Sequence, residues 1–319
     1  MTPEALLRNA NRILLITHIT PDGDAIGGLL ALGHVLRGMG KDVTVSCSDA
    51  VPERFAYLAG YADIVNQAPG PFDLVVSLDC SDLRRVGCIY HADEWRDIPF
   101  LNIDHHVTNT GFGTHNWVSP EYVATSEMVF DLCDRLGAQL DADIARCLLY
   151  GILSDTQGLR TDNVTPALLG KVMRLMMLGA PLDDIMDQIF NRRPFKLLHA
   201  WEKTLETIQL EEGVIWAYLT RQARMEAEWP DTDLQGMSNF LLAVEEANLS
   251  AVLVERDDGQ VEVGMRARAP FNVAHVAMAL GGGGHPQAAG CVLEGPLDKA
   301  VERVVTALKA PIPHPQYPG

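Results

Sequence analysis

Acidic and imidazole side chains are concentrated in two short segments of the chain. In the first segment His18 is followed by Asp22 and Asp24, and in the second Asp104-His105-His106 follows an apolar stretch. Carboxylate oxygens and imidazole nitrogens are ligands for divalent cations, and a pair of such cations can activate water to attack a phosphate ester. The two segments therefore predict a two-metal site with hydrolytic chemistry on phosphate.

Parallel strands are expected to hold these side chains. Short β-branched runs alternate with helical patterns in the first half of the chain, which predicts an α/β domain with a parallel sheet. His18, Asp79 and Asp104 each follow a predicted strand, and ligands gather at the carboxyl ends of strands in open α/β sheets. Asp155, at the end of a predicted helix, is placed to add a carboxylate at the same edge. The strands are expected at 12–17, 42–46, 73–78 and 99–103, and the helices at 25–39, 125–136 and 142–153.

Each of these motifs alone also has a purely structural interpretation. Asp22-Gly23-Asp24 is typical of a turn that caps a helix, and Asp79 is typical of a turn at a strand end. His105 and His106 could simply lie at the surface. Because independent accidents rarely place so many ligands at one edge of a sheet, their combination favours the metal site.

Composition and charge narrow the class of protein. With 319 residues, 47% hydrophobic and 21% charged, the chain is long enough for two domains and has the composition of a globular enzyme. A net charge of −17 argues against tight binding of long nucleic acid, which needs clustered Lys and Arg.

No apolar run is long enough to cross a bilayer, so no membrane partner is expected and a cytoplasmic location is the default expectation. The six cysteines form no C-x-x-C pair, so neither a zinc knuckle nor a disulfide framework is expected.

A second, smaller α/β domain is expected after a helical connector. The helical pattern between 181 and 210 is broken at 191–194, and strand patterns resume at 214–219, 251–255 and 261–266. We therefore expect a metal-binding domain at 1–190, a helical connector at 191–212 and a substrate-binding domain at 213–319.

A run of four glycines distinguishes this second domain. Gly281 to Gly284 precede His285, between a helical pattern and the compact run 285–290. Glycines leave the backbone N–H groups open to an anion such as phosphate, although such runs are also typical of flexible linkers. The position of the run between two packed segments favours binding, and the expected contacts are Gly282, Gly283, Gly284 and His285.

The motifs at 18–24, Asp79, 104–106 and 154–156 together resemble the four motifs of the DHH phosphoesterase superfamily, and the glycine run resembles its DHH-associated C-terminal domain. Within the superfamily the chain is similar to the branch of nanoRNases that also dephosphorylate 3′-phosphoadenosine 5′-phosphate. The resemblance implies two manganese ions bridged by Asp79, a supporting role for Asp104, and a contact between His106 and the scissile phosphate. The implied ligands are His18, Asp22 and Asp79 for one ion, and Asp24, Asp79, His105 and Asp155 for the other.

The same resemblance implies that Arg266 binds a substrate phosphate beside the glycine run, which its guanidinium can do with two hydrogen bonds. The family often has serine directly after this arginine, whereas this chain has Ala267 and then Arg268. Arg268 could replace the serine contact or simply be exposed.

The leading interpretation is a manganese-dependent hydrolase of very short RNA and of 3′-phosphoadenosine 5′-phosphate. The resemblance to related proteins also suggests a homodimer. Cleavage of cyclic dinucleotides or their linear products is an alternative. From another class, the chain could be a nucleotide-binding regulator without catalysis, although such a protein needs no complete two-metal ligand set. Longer single-strand DNA exonucleases and pyrophosphatases of the superfamily are disfavoured, because they require an additional domain or lack the glycine run.

Overall fold

The computed structural model describes residues 1–68, 70–90 and 95–310. The chain forms two compact units, 1–192 and 193–319, and the last nine residues of the expected second domain lie outside the described residues. Residues 193–212, expected as a connector, group with the second unit. No helix in the described ranges is long and apolar enough to cross a membrane.

The first unit contains a parallel sheet with helices packed against it, as expected from the sequence. Short segments of 3₁₀ helix occur at 53–57, 61–63 and 83–89, the last interrupted at Gly87, and a π-helical turn occurs at 187–191. Its strands and helices are β1 (Arg12–Thr17), β2 (Asp42–Cys47), β3 (Leu74–Leu78), β4 (Phe100–Asp104) and β5 (His115–Val118), with α1 (Pro3–Asn9), α2 (Gly23–Gly38), α3 (Thr125–Leu136), α4 (Ala142–Asp155), α5 (Pro166–Met177) and α6 (Leu182–Met186).

The five strands lie in the order β2-β1-β3-β4-β5, and every pair is parallel. Every residue of β3 and β4 is buried, as is typical of a parallel sheet covered on both faces. One face packs on α2, α3 and α4, and the other packs on a smaller cluster that includes Val86 and Trp95. The edge strand β5 is absent from the expected elements, because it has four residues and no clear apolar alternation.

Close contact between α2 and α4 fixes the start of α2 relative to the sheet edge. A Cβ atom on Gly27 would lie 2.5 Å from the backbone carbonyl oxygen of Cys147, and one on Gly151 would lie 2.9 Å from Oδ1 of Asp24. The two helices therefore approach at glycine, which lets their ends, carrying Asp24 and Asp155, meet near the carboxyl ends of the strands.

The second unit is also α/β, but its sheet is mixed. The six strands lie in the order β10-β11-β9-β8-β7-β6, in which only β7 and β8 pair in parallel. The elements are α7 (Phe195–Leu205), β6 (Gln209–Glu211), β7 (Val214–Leu219), α8 (Arg221–Glu226), α9 (Met237–Leu242), β8 (Leu249–Glu255), β9 (Gln260–Ala267), α10 (Ala274–Ala279), β10 (Gly283–His285), β11 (Ala288–Glu294) and α11 (Leu297–Lys309).

We predict that Gly27→Ala destabilises the protein by about 1–3 kcal/mol, because the added methyl group overpacks the contact between α2 and α4. Gly38→Ala on the same helix is the matched control, since a Cβ atom there meets no heavy atom within 4 Å. Urea unfolding followed by circular dichroism measures both. Equal midpoints for the two variants would show that the close approach is not a constraint.

Candidate active site

The carboxyl ends of three neighbouring strands bring the sequence-predicted residues together. His18 follows β1, Asp79 follows β3, and Asp104 ends β4 with His105 directly after it. All four side chains are at most 3% exposed. The chain runs from β1 outwards to β2 and then back to β3 on the other side of β1, and ligand sites in open α/β sheets form at such a reversal of strand order.

Asp79 lies at the centre of the cluster. Its Oδ2 is 3.5 Å from Nε2 of His18, and its Oδ1 is 3.6 Å from Nε2 of His105 and 3.5 Å from Nδ1 of His106. The backbone of Asp79 has a positive φ of 62°, which is uncommon for a residue other than glycine, and its N–H donates to the Ile103 carbonyl at 3.0 Å. Such a conformation persists only where its surroundings hold it, and it turns this carboxylate towards three imidazoles.

The first expected ligand set is His18, Asp22 and Asp79, whose ligand atoms lie within 4.8 Å of one another. Asp22 is also the N-cap of α2, because its Oδ1 accepts the N–H groups of Asp24 and Ala25 at 3.1 Å. The two interpretations of this motif are therefore compatible. Capping the helix fixes the carboxylate 3.9 Å from Nε2 of His18.

The second expected set gathers around His105. Ligand atoms of Asp24, Asp79 and His105 lie within 4.8 Å of one another, and Oδ2 of Asp155 lies 3.1 Å from Nε2 of His105. Asp24 is fully buried and accepts the backbone N–H groups of Thr125 at 2.6 Å and Ser126 at 2.8 Å. The N-terminus of α3 thus stabilises this carboxylate by two hydrogen bonds and by the helix dipole.

Asp104 and His106 form a pair beside Asp79 at the same edge, and ligand atoms of the three residues lie within 4.8 Å of one another. His106 Nδ1 lies 2.7 Å from Oδ1 of Asp104, and the side-chain amide of Asn109 donates to Oδ2 of Asp104 at 2.5 Å. Burial raises the pKa of Asp104, but the hydrogen bond and the charge of His106, together with the hydrogen bond from Asn109, outweigh burial and hold that pKa below its ordinary value. An ionised Asp104 keeps the imidazole proton on Nδ1, so that Nε2 carries the lone pair of the neutral ring.

Burial and mutual repulsion dominate the electrostatics of the other carboxylates. Burial raises the pKa of Asp24 well above its ordinary value, and the charges of Asp79 and Asp155 raise it further. Burial also raises the pKa of Asp155, although His105 opposes this shift. For Asp79, burial raises the pKa, but the hydrogen bond with His18 and the nearby imidazole charges hold it below its ordinary value. Carboxylates that lie this close together repel one another when they are ionised, and bound cations would offset that repulsion.

The donor set and its spacing fit divalent metal ions. Oxygen and imidazole nitrogen are the ligands of hard or borderline divalent ions. Two ligands of an octahedral ion with bonds of about 2.1 Å lie about 3.0 Å apart when adjacent and about 4.2 Å apart when opposite. The separations of 3.1–3.9 Å between ligand atoms of His18, His105 and the carboxylates fall in this range.

Residues that no motif in the sequence marks hold the ligands in place. Thr125 donates its hydroxyl to Oδ1 of Asp79 at 3.1 Å, in addition to its backbone contact with Asp24. Nη2 of Arg85 lies 3.0 Å from Nδ1 of His18. The start of a predicted helix at 125 was a weak signal for the first contact, whereas no spacing pattern marks Arg85 or Asn109.

In the second unit, the structure places Arg266 and His285 on one face of the sheet. Ala288 is the cross-strand partner of both residues, and directly paired residues of antiparallel strands point to the same face. A cavity of about 120 Å³ on this sheet is lined by Arg266, Glu262 and Gly264 of β9 and by residues at the start of α9. Small Ala288 leaves room between the two longer side chains.

The glycine run comprises a turn at Gly281 and Gly282, which follows α10, and the first two residues of an edge strand at Gly283 and Gly284. The N–H groups of Gly281 and Gly282 donate to carbonyls of α10, and Gly283, Gly284 and His285 form the edge strand β10. A Cβ atom on Gly282 would lie 2.1 Å from the Gly290 carbonyl oxygen, and one on Gly284 would lie 2.5 Å from the Ala288 carbonyl oxygen. The glycines therefore permit close approach of backbones, and the N–H group of Gly282 is already used within the protein.

Arg268 has a structural role. Its Nη2 donates to the carbonyl oxygens of Leu242 at 2.8 Å and Val244 at 3.2 Å, beside the C-terminus of α9. These contacts satisfy carbonyl groups that the helix leaves without partners. Arg268 is thus held by α9, which does not support a replacement for the serine contact.

We predict that the metal-free protein loses stability as the pH rises above 6.5. Burial lowers the pKa of both His18 and His105, but neighbouring carboxylates outweigh burial and raise both pKa values above 6.5. Their stabilising contribution is therefore complete below pH 6.5 and is lost as the pH rises through the raised values. The raised pKa values of Asp24 and Asp155 also make stability fall with rising pH, in a window that begins at their ordinary value of 3.8.

Urea unfolding with a chelator between pH 6 and 9 measures this slope. Excess manganese is the control, since bound cations take the place of the lost protons and should flatten the slope. A stability of the chelated protein that is constant or rises over this range would contradict the prediction.

Comparisons with known proteins agree with the arrangement of both units. Residues 12–152 match the N-terminal domain of the DHH family, and residues 212–312 match the DHHA1 domain. The bifunctional oligoribonuclease and PAP phosphatase NrnA of Thermus thermophilus is 34% identical over 330 residues, covering 99% of this chain and 95% of that protein. The protein of the same name from Mycoplasma pneumoniae is 26% identical, covering 90% and 89%.

Among solved structures, an exopolyphosphatase-related protein from Bacteroides fragilis matches with a TM-score of 0.82 and 25% sequence identity. The match covers 96% of this chain and 94% of that protein. The family matches, the extent of the alignments and the clustered motif residues lead to one conclusion: the chain belongs to the DHH family, with a DHH domain followed by a DHHA1 domain.

Proposed function

We propose that this DHH-family phosphoester hydrolase removes nucleotides from very short RNA and dephosphorylates 3′-phosphoadenosine 5′-phosphate, with two divalent ions, expected to be manganese. The observation that carries the proposal is the position of Asp79, whose two oxygens face two separate ligand sets. Asp79 would therefore belong to both ligand sets, which fits a site for two neighbouring ions. The relatives named as oligoribonuclease and PAP phosphatase support the choice of substrates.

Different residues of the first unit would hold the metal ions and keep the metal ligands in position during hydrolysis. When bound, divalent ions supply an activated water at neutral pH and neutralise charge on the phosphate. His18, Asp22 and Asp79 would hold one ion, and Asp24, Asp79, His105 and Asp155 the other. Thr125, Ser126 and the N-cap geometry of Asp22 keep the carboxylates in place before the substrate arrives, so that little reorganisation is needed during the reaction.

His106 is proposed to transfer a proton to the substrate. Oδ1 of Asp104 accepts a hydrogen bond from Nδ1–H of His106, which orients the ring. In the imidazolium form, Nε2–H can donate its proton to the leaving oxygen as the bond from phosphorus to that oxygen breaks. Asn109 keeps Asp104 in position by donating to its second oxygen. Asp104 thus acts through His106.

The second unit is proposed to bind the remainder of the substrate. Arg266 offers a guanidinium for a phosphate, and His285 lies across Ala288 on the same face. Gly283 and Gly284 bring an edge strand close to β11, while Gly282 serves the turn before it. The acidic net charge of −17 agrees with small substrates held by few contacts.

The substrate preference is tested by hydrolysis of 3′-phosphoadenosine 5′-phosphate, an RNA dinucleotide, an RNA 24-mer and cyclic di-AMP in parallel. We expect the first two to be cleaved fastest, with activity lost in a chelator and restored by manganese. Fastest cleavage of cyclic di-AMP would favour a cyclic-dinucleotide phosphodiesterase, and fastest cleavage of the 24-mer an exonuclease. Binding of these nucleotides without any cleavage would identify a nucleotide-binding regulator.

The role of His106 predicts a loss of kcat without a loss of metal. His106→Asn should lower kcat by about 10²–10⁴-fold, the usual contribution of a general acid. Its manganese content, measured by mass spectrometry of the metal, should equal that of the wild type. His199→Asn is the control, because the side chain of His199 is 51% exposed and lies in the second unit. Loss of manganese from His106→Asn would instead make His106 a ligand.

A further inference from the structure

Arg85 is held beside the metal-ligand cluster by its own backbone. It lies in the 3₁₀ segment Leu83–Ile89 that follows Asp79, and its carbonyl oxygen accepts the N–H of Ile19 at 2.7 Å. Two residues on, Gly87 has a φ of 73°, and a Cβ atom there would lie 2.5 Å from Oγ of Ser48 and 2.7 Å from Cγ2 of Ile19. The segment therefore packs against the loop that carries His18.

The contact between Arg85 and His18 cannot be an ordinary hydrogen bond when His18 is a metal ligand. Nδ1 of His18 lies 2.7 Å from the carbonyl oxygen of Ile19 and 3.0 Å from Nη2 of Arg85. Nε2, which faces Asp22 and Asp79, needs its lone pair for a metal ion, so the proton of the neutral ring is on Nδ1 and is donated to Ile19. In that state Nδ1 has no lone pair for Arg85.

Arg85 then has donors without acceptors at the edge of the site. In the part of the chain that the structure describes, its Nε is buried without a hydrogen-bond partner, and no carboxylate lies within ion-pair distance of it. The adjacent Arg84 differs, since its Nε and Nη2 donate to the two oxygens of Asp82 at 3.0 Å and 3.2 Å. A buried N–H of a guanidinium costs free energy unless an acceptor arrives.

We propose that Arg85 binds an anionic oxygen of the substrate phosphate that reacts at the metal-ligand cluster. This inference rests on the proposed function, because it assigns a further substrate contact to the same site. The guanidinium presents Nε and Nη2 as two parallel donors, the geometry that matches two oxygens of a phosphate. Its Nη2, 3.0 Å from Nδ1 of His18, lies one imidazole ring away from the ligand atom Nε2. In a chain with a net charge of −17, a cation without a carboxylate partner at this point also favours entry of an anion.

The test measures binding of inorganic phosphate to the manganese-loaded full-length protein by calorimetry. Phosphate is the group released from 3′-phosphoadenosine 5′-phosphate, and its binding needs no turnover. Arg85→Gln should weaken phosphate binding and raise KM for 3′-phosphoadenosine 5′-phosphate by about 10- to 100-fold, as expected for charge-assisted hydrogen bonds. Arg84→Gln is the matched control and should change both by less than about twofold.

Manganese titration separates substrate binding from a purely structural role. If Arg85 contacts the phosphate, Arg85→Gln keeps the manganese affinity of the wild type. Weaker manganese binding with unchanged phosphate affinity would mean that Arg85 only positions His18, and the proposal would fail. Equal losses of phosphate affinity in Arg84→Gln and Arg85→Gln would also overturn it, because they would indicate general electrostatics.

Arg85→Lys keeps the charge but loses the fork of two donors. We expect it to bind phosphate more tightly than Arg85→Gln and more weakly than the wild type. If circular dichroism shows that Arg85→Gln is unfolded, Arg85→Lys replaces it in the test. Undetectable phosphate binding by the wild type would refute the proposal for Arg85. Phosphate binding that depends on Arg85, in a wild type that cleaves neither RNA dinucleotide nor 3′-phosphoadenosine 5′-phosphate, would refute the proposed function alone.

Discussion

The buried carboxylate of Asp79 is the interaction on which the rest of the first unit depends. It lies directly after a fully buried strand, in a left-handed backbone conformation, with three imidazoles within 3.6 Å of its oxygens. A buried charge is costly unless positive groups or hydrogen bonds surround it. The loops after β1 and β4 provide the imidazoles of His18, His105 and His106. The same arrangement gives the distances between ligand atoms that divalent ions require.

The surrounding carboxylates are stabilised by backbone N–H groups rather than by lysine or arginine. Asp24 accepts two N–H groups from the start of α3, and Asp22 accepts two from the start of its own helix. Backbone donors hold a carboxylate in place without supplying a full positive charge, so the cluster keeps its attraction for cations. This explains why a helix cap and a metal ligand can be the same residue.

In the second unit, the main constraint is steric, because β10 and β11 approach each other closely beside the end of α10. Gly282 and Gly284 leave no side chain where carbonyl groups of β11 pass, and a methyl group at either position would collide with them. The short strand that results carries His285, and β11 separates it from Arg266 by the small residue Ala288. Steric constraints on the backbone thereby decide where the polar side chains of this face lie.

The sequence by itself determined the elements and ligand types that depend on local spacing. The bounds of β1, β7 and α3 match the periodic patterns, and His18, Asp79 and Asp104 lie at strand ends as their order along the chain predicts. Only the tertiary structure decided which oxygen of each carboxylate faces which nitrogen, that Gly283 and Gly284 become part of an edge strand, and that Arg85 and Thr125 join the site. The reason is physical: these contacts link residues that are distant along the chain, and their strength depends on burial and hydrogen-bond geometry that local periodicity does not encode.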